Sequence, residues 1–313
     1  MSTWHLRAVP FKFQMSDLTL LTLSIPLQIR AVGLADELLA EQLPTAPPIV
    51  ELDAGSQGFV IRGLPLAAQK SRIQKCGAFL VYVPQQYQHY FIDLHIGFDA
   101  YVTKFSSKTK ATVMRKIRKY AEYSGGSISW KTYRTSEEMM EFLRLATPLS
   151  KSTYQDRLLD AGLPQSETFR SDALARAKNN RARAFVLFDR GRPVSYLYCP
   201  VDDGILTYAF QGYDPEYMHH SVGTVLQWLA VEQLFNEGIF RYFDFTEGQS
   251  DHKRLFATHH RQCANVFFLR SSIRNICLVH AHAFMDSFSV KLGEVLEHIG
   301  LKAKVKRFLR FAR

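Results

Sequence analysis

The stretch FRYFDFTEGQSDHKRLFATHH, from Phe240 to His260, most sharply limits what this chain can fold into. It reads as a short aromatic strand, a turn at Thr246-Glu247-Gly248, and a polar helix carrying Lys253 and Arg254. Alternation puts Tyr242, Asp244 and Thr246 on one face of the strand and Phe243 and Phe245 on the other. A carboxylate on so apolar a strand is costly to bury unless it is paired. A cation one helical turn into the next element, Lys253, is the expected partner. In α/β sheets the carboxyl end of a strand is where chemistry is placed.

The chain has 313 residues, enough for about two domains. It is 47% hydrophobic and 22% charged, which excludes a disordered chain and allows sizeable cores. The net charge of +10 points to an anionic partner such as nucleic acid, a phosphorylated cofactor or an acidic membrane surface. Cys76, Cys199, Cys263 and Cys277 form no C-x-x-C pair, so a reducing, cytoplasmic compartment is expected. The apolar run Leu18–Ile29 is interrupted by Pro26 and is too short to span a bilayer. The histidine pairs His219/His220, His259/His260 and His280/His282 lack partners at zinc-site spacing, and no metal is expected.

The reading predicts a mixed α/β chain in three parts: an N-terminal α/β domain over residues 1–133, a second domain over 134–272, and a C-terminal helix with a basic tail over 273–313. Strands are expected at Leu18–Ile29, Phe59–Arg62, Ala78–Pro84 and His89–Leu94, and a helix at Ala31–Leu43. The segment from Phe105 to Tyr120 carries Lys108, Lys110, Arg115, Lys116, Arg118 and Lys119 with no acid, and Val113, Ile117 and Tyr120 form its apolar stripe. Lys108 and Arg115, seven apart, share one helix face and could bind an acidic substrate; a solvated face is the competing reading. The second half follows the order helix, helix, three antiparallel strands, helix, strand, helix, strand. Its third strand is expected to run unbroken from Ile205 to Tyr213. Then QGYDPEYMHHSVGT leads into an apolar helix opening at Ser221-Val222-Gly223-Thr224. A helix start approached through small residues is a ready anion site, because its first N–H groups lack acceptors. An ordinary Ser-capped helix would read the same way.

Three pieces together carry a resemblance that covers roughly residues 105 to 270. FSSKTKATVMRKIRK, MHHSVGT and FDFTEGQSDHKRLF resemble, respectively, the basic opening, the pyrophosphate loop and the "YDF-x-x-G-x-x-x-x-K" block of the GNAT-fold acyltransferases of the cellulose-biosynthesis-associated (CelD/BcsL) branch. The chain is more distantly similar to the FemAB-type aminoacyl transferases. In the pyrophosphate loop Met218 and Ser221 depart from the usual pattern and Gly223 keeps it. The resemblance implies a GNAT-like fold in two halves. It also implies acetyl-CoA or another acyl-CoA as donor, bound by Ser221, Val222, Gly223 and Thr224, and an amine or hydroxyl acceptor, small molecule or saccharide. It places Asp244 and Lys253 in the active cleft. Within the group Asp244, Glu247, His252 and Lys253, either acid could be the base and Lys253 an anion ligand; a purely structural ion pair is the alternative. Tyr208 and Gln211 are expected to line the same cleft. A tRNA donor and a non-catalytic binding protein of this fold stay open.

At the C-terminus, Phe284, Phe288, Leu292, Val295 and Ile299 recur at helical spacing and are expected to pack on the body of the protein. Beyond Gly300, Lys302, Lys304, Lys306, Arg307, Arg310 and Arg313 come with no acid among them. That tail suits an anionic membrane surface, so a cytoplasmic protein peripheral to the inner membrane is the expectation; a solvated tail is the alternative.

Overall fold

The structure is a computed structural model that describes residues 4–15, 18–34, 52–69, 71–152 and 162–298. The expected helix over Ala31–Leu43 and the basic tail lie largely or wholly outside these residues. The chain forms two compact units, one of residues 1–88 and 261–313, the other of residues 89–260. The sequence reading instead set its boundaries at 133/134 and 272/273. The basic helix carries the difference. Its stripe of Val113, Ile117 and Tyr120 packs into the core of the 89–260 unit, so the helix cannot belong to an N-terminal domain.

The first unit is built on β1 (His5–Met15), β2 (Leu18–Ala31), β3 (Gly58–Pro65), β4 (Ile73–Cys76), β5 (Phe79–Tyr82) and most of β13 (His259–Arg270). β1 and β2 form an antiparallel hairpin, β2 runs parallel to β3, and β13 pairs antiparallel with both β3 and β5. Strand β1 hides in the sequence because Pro10 interrupts it, and the structure shows why proline is tolerated there: among the described residues β1 pairs only with β2 and so lies at an edge. The C-terminal helix (Ile273–His298) covers Val9, Phe11, Phe13, Ile25 and Leu27 through Leu278, Val279 and Ala283. His282 wedges between the Phe11 and Phe13 rings and meets the Tyr82 hydroxyl through Nδ1 at 2.7 Å, which fixes the helix register. The helix therefore packs through a different stripe from the expected one. Phe284 and Phe288 face solvent, and the side chains of Val295 and Ile299 lie outside the described set.

The second unit carries β6 (Gln86–Asp93), which begins just before it, then α1 (Phe98–Thr103), α2 (Ser107–Tyr123), β7 (Ser129–Tyr133), α3 (Ser136–Ser152), α4 (Glu167–Lys178), β8 (Ala182–Asp189) and β9 (Arg192–Asp202). After them come β10 (Ile205–Thr207), β11 (Phe210–Tyr213), α5 (Val222–Glu237), β12 (Tyr242–Asp244) and α6 (Asp251–Phe256). The C-terminal helix of the first unit is α7. The strand order is β6-β12-β10-β9-β8-β7, with β11 also on β9. The sheet is mixed: β10 and β12 are parallel, and the other pairs in this unit are antiparallel.

Alternation along β8 sends Phe185 and Leu187 to one face, with α1, α2 and α5, and Ala184 and Val186 to the other, with α3 and α4. Helices on both faces of a central sheet bury nearly all of β8 and β9 and leave the ends of the shorter strands free to form a site.

Candidate functional site

The expected strand Ile205–Tyr213 is broken. Residues Ile205, Leu206 and Thr207 pair with Tyr242, Phe243 and Asp244 of β12, and the last link of that ladder is the Tyr208 N–H donating to the Asp244 carbonyl at 2.8 Å. Ala209 N–H then donates to Tyr198 O, and Phe210 to Tyr213 follow β9 alone. The chain can swing onto β9 because Gly212 presents no side chain: a Cβ there would stand 2.4 Å from the Tyr196 ring. β11 and β12 thus part at Tyr208, and a wedge opens between them.

A cleft of about 470 Å³ occupies that wedge. Tyr208, Gln211 and Tyr213 form one wall, the start of α5 (Ser221 to Thr224) the end, and Ser250, His252 and Lys253 the other wall. No carboxylate is among its lining residues. Ser221 closes the preceding turn in the left-handed region, φ 54°, an uncommon conformation for a side-chain-bearing residue. Its carbonyl accepts from the Thr224 and Val225 N–H groups, so the earlier N–H groups of Val222 and Gly223 sit in the part of the first turn that has no intrahelical acceptor. A chain of hydrogen bonds ties the strand break to this helix start: Tyr208 Oη donates to Gln211 Oε1, and Gln211 Nε2 donates to the Gly223 carbonyl at 3.0 Å.

The second wall is held from below. Phe256 is buried, Tyr101 Oη donates to its carbonyl at 3.0 Å, and Lys104 Nζ donates to the carbonyls of Leu255 and Ala257, both at 2.7 Å. A cation at the last carbonyls of α6 also complements the helix dipole. Burial brings the Lys104 ammonium down to about 8. Lys104 lies just ahead of the basic segment, at the end of α1, and its ammonium clamps α6.

The electrostatics of the cleft follow from burial. Desolvation, with Lys116 and Lys253 nearby, lowers the His252 imidazole to about 4, so the ring is neutral at neutral pH. Its Nε2 has no hydrogen-bond partner among the described residues. Burial holds the Tyr208 phenol well above its ordinary value, so it stays a proton donor. Burial also lowers the Lys253 ammonium, against the opposing pull of Asp244 and Glu247.

Of the residues singled out from sequence, Tyr208, Gln211, Ser221, Val222, Gly223, Thr224 and Lys253 meet in the cleft. Asp244 does not line it, and the expected direct Asp244–Lys253 pair does not form. The Asp244 carboxylate instead takes His89 Nε2 and the Thr246 N–H, the latter at 2.6 Å, while Lys253 Nζ donates to the Glu247 carbonyl at 2.7 Å. Thr246 lies at φ 61°, an outlier for a β-branched residue, and the Asp244 carboxylate pins that turn. The partner expected on α6 is supplied by β6, a strand distant in sequence, so no local spacing could reveal His89. Glu247 is exposed. Lys108 and Arg115 are exposed on α2 and do not line the cleft; Lys116 of the same helix is the one that reaches the field of His252. Among the described residues no His, Cys, Asp or Glu cluster is arranged to hold a metal ion.

Residues 107–254 match the family model of the acetyltransferase (GNAT) domain. The fold of this segment is that of a GNAT-type acetyltransferase. The match spans a little under half of the chain and contains the strand break, the start of α5 and α6. No curated protein matches the chain in sequence. Among solved structures, FemX is 10% identical with a TM-score of 0.48, covering 89% of this chain and 90% of its own. L-PGS from Bacillus licheniformis is 12% identical with a TM-score of 0.43, covering 72% of each chain. The ribosomal-protein-S18-alanine N-acetyltransferase from Escherichia coli is 16% identical with a TM-score of 0.31, covering 47% of this chain and 95% of its own.

Proposed function

We propose that the protein is an acyltransferase that moves an acyl group, acetyl in the simplest case, from acyl-CoA to an amine or hydroxyl. The observation that supports this best is the cleft itself: a strand break opens onto the N-terminus of a 16-residue helix, inside the segment that matches the GNAT domain, with a lysine and no carboxylate on its walls. The free N–H groups of Val222 and Gly223 and the helix dipole suit the phosphates of a CoA donor. The acyl thioester would then lie along the wedge towards Tyr208.

Direct transfer fits the lining, which contains no cysteine to carry the acyl group. The acceptor attacks the thioester carbonyl and a tetrahedral oxyanion forms. The Tyr208 hydroxyl, whose one proton goes to Gln211 Oε1 here, would donate to that oxyanion or to the departing thiolate by turning away from Gln211. The neutral His252 ring, with Nε2 unpartnered, is suited to take the proton of the acceptor. Asp244 serves in this reading as a positioning residue for the turn that carries α6, and Lys253 as an anion ligand. Glu247 stays outside the chemistry. Membership of the cellulose-biosynthesis-associated branch, and a saccharide acceptor, rest on the sequence blocks quoted above.

A second reading, an aminoacyl-tRNA donor, is favoured by the exposed basic residues of α2, Lys108, Lys110, Arg115, Arg118 and Lys119. Thermal protection separates the two. Acetyl-CoA near one millimolar should raise the melting temperature of the full chain, and Gly223→Asp should abolish the shift without lowering the unliganded melt. No protection by any acyl-CoA, with protection by charged tRNA, would transfer the proposal to the second reading. No response to either would leave a binding protein of this fold.

A further inference from the structure

The helix α7 is apolar on both of its sides. Leu278, Val279 and Ala283 face the first unit's sheet, and opposite them Ile273, Ile276, Phe284 and Phe288 are 83%, 38%, 70% and 47% exposed. These four recur at helical spacing along one outward stripe, and the Phe284 and Phe288 rings stack, with centroids 6.2 Å apart. The hairpin beside the helix adds to the surface. Leu21 and Leu23 pair with Phe13 and Phe11, so they share the face that α7 covers, yet they are 50% and 41% exposed. Exposed His280 sits between Ile276 and Phe284 on this stripe; even so, this many exposed large apolar side chains on one helix face mark a place that something else covers.

Charge decides what. Arg274 and Lys291 are exposed on the same helix; of its three acids Asp286 is engaged by Arg72, and the side chains of Glu294 and Glu297 lie outside the described set. The chain that follows the helix carries six Lys and Arg residues and no acid between Lys302 and Arg313, interleaved with Val305, Phe308, Leu309 and Phe311. An outward aromatic stripe continued by basic sequence matches the two components of an anionic bilayer interface, acyl chains and negative headgroups.

We propose that the outward face of α7 is a docking surface for an anionic lipid bilayer, with Phe284 and Phe288 as its apolar anchors. The proposal is independent of the cleft and of the donor. A second copy of the chain, the other partner that an apolar helix face could take, would leave the basic run without a counter-charge.

Co-sedimentation of the full chain with vesicles tests it. The parent should bind phosphatidylglycerol-containing vesicles, bind pure phosphatidylcholine vesicles more weakly, and lose affinity as salt is raised. Phe284→Ser with Phe288→Ser should weaken binding to the anionic vesicles about tenfold or more, since two exposed rings lose their insertion. Phe284 is largely and Phe288 about half solvated, so circular dichroism should not change and the urea midpoint should move little. Replacing the six basic residues after Gly300 with Gln, in the full-length chain, should remove the salt dependence and leave a weaker, salt-insensitive binding. The proposal is overturned if the parent ignores anionic vesicles or if the serine double variant binds them as tightly as the parent. It is equally overturned if sedimentation velocity shows a dimer that the double variant dissociates while vesicle binding is unchanged.

Discussion

The sharpest consequence of the cleft's electrostatics concerns His252 and pH. Its imidazole falls from an ordinary 6.5 to about 4, with burial as the leading cause and the Lys116 and Lys253 cations adding to it. The folded protein therefore holds this ring neutral where the unfolded chain would protonate it. The unfolded state then binds more protons over the acidic range, and stability must fall as pH falls. The contribution is fully present above pH 6.5 and is lost progressively down to about pH 4. Between about pH 7.5 and pH 4.5 the loss from this one group is about 2–3 kcal/mol, a large share of a typical domain's stability.

Glutamine at position 252 keeps a polar side chain of similar reach and cannot titrate. In His252→Gln the decline of unfolding free energy between these two pH values should be smaller than in the parent by about that amount. Urea denaturation followed by tryptophan fluorescence is the assay. Trp130 and Trp228 both report on the unit of residues 89–260, and a Trp4→Phe background silences the other unit. Parallel decline in parent and variant would refute the burial argument. So would an NMR titration that finds the His252 ring charging above pH 6. Under the proposed function the same variant should lose turnover with little change in KM, because a base acts on the acceptor in the transition state.

Three further expectations follow from the geometry of the second unit. At Gly223 a Cβ would meet Tyr213 Cδ1 at 3.5 Å and Gln211 Nε2 at 3.6 Å, ordinary contacts, so Gly223→Ala should retain acyl-CoA binding while Gly223→Asp weakens it about tenfold or more; calorimetry on the pair separates charge from bulk. Asp244→Asn should cost roughly 1–3 kcal/mol in urea, because His89 and the Thr246 turn lose a charged acceptor, and turnover should fall through displacement of α6; unchanged stability would show that the carboxylate does not hold the turn. Glu237→Gln should destabilise the unit by about 3–5 kcal/mol, since Arg183, 2% exposed, donates through Nε to Glu237 at 2.9 Å and would be left as a buried uncompensated cation; a melt within a degree of the parent would refute this.

Much of the fold is legible in the chain because most elements announce themselves locally. Ser106, Ser166 and Ser250 cap their helices, each with its side chain accepting an N–H in the first turn. The alternation of Tyr242, Phe243, Asp244 and Phe245 correctly sorts buried rings from the polar face: Phe243 and Phe245 are fully buried. What escapes is set by residues far apart in sequence. His89 and Asp244 meet because β6 and β12 pair, and nothing in either segment marks the other. The stripe of Phe284 and Phe288 is regular too, and contacts from distant segments, with Leu278 and Val279 on the sheet and His282 between Phe11 and Phe13, set which side of α7 faces in.

The break at Tyr208 is the case in which a failed local expectation opens the cleft on which the proposed function rests. By composition Ile205–Tyr213 is one strand, and β-propensity alone would run it straight. Continuing beside β12 would satisfy every backbone group and close the wedge. Instead the chain abandons β12 after one last bond, from Tyr208 N–H to Asp244 O, and β11 keeps β9 as its sole strand partner among the described residues. One edge of β11 therefore borders the cleft with its N–H and C=O groups unmatched by a strand. Unpaired backbone in a partly buried place is unfavourable unless solvent or a ligand meets it. The fold tolerates that cost here, and Gly212 with the Tyr196 ring beneath it makes the detour possible. An amide-bearing extended ligand whose phosphates rest on the start of α5 would meet both the free strand edge and the free helix N–H groups at once. Neither feature by itself would select a ligand; under the proposed function it is their placement on adjoining walls of one 470 Å³ cleft that would.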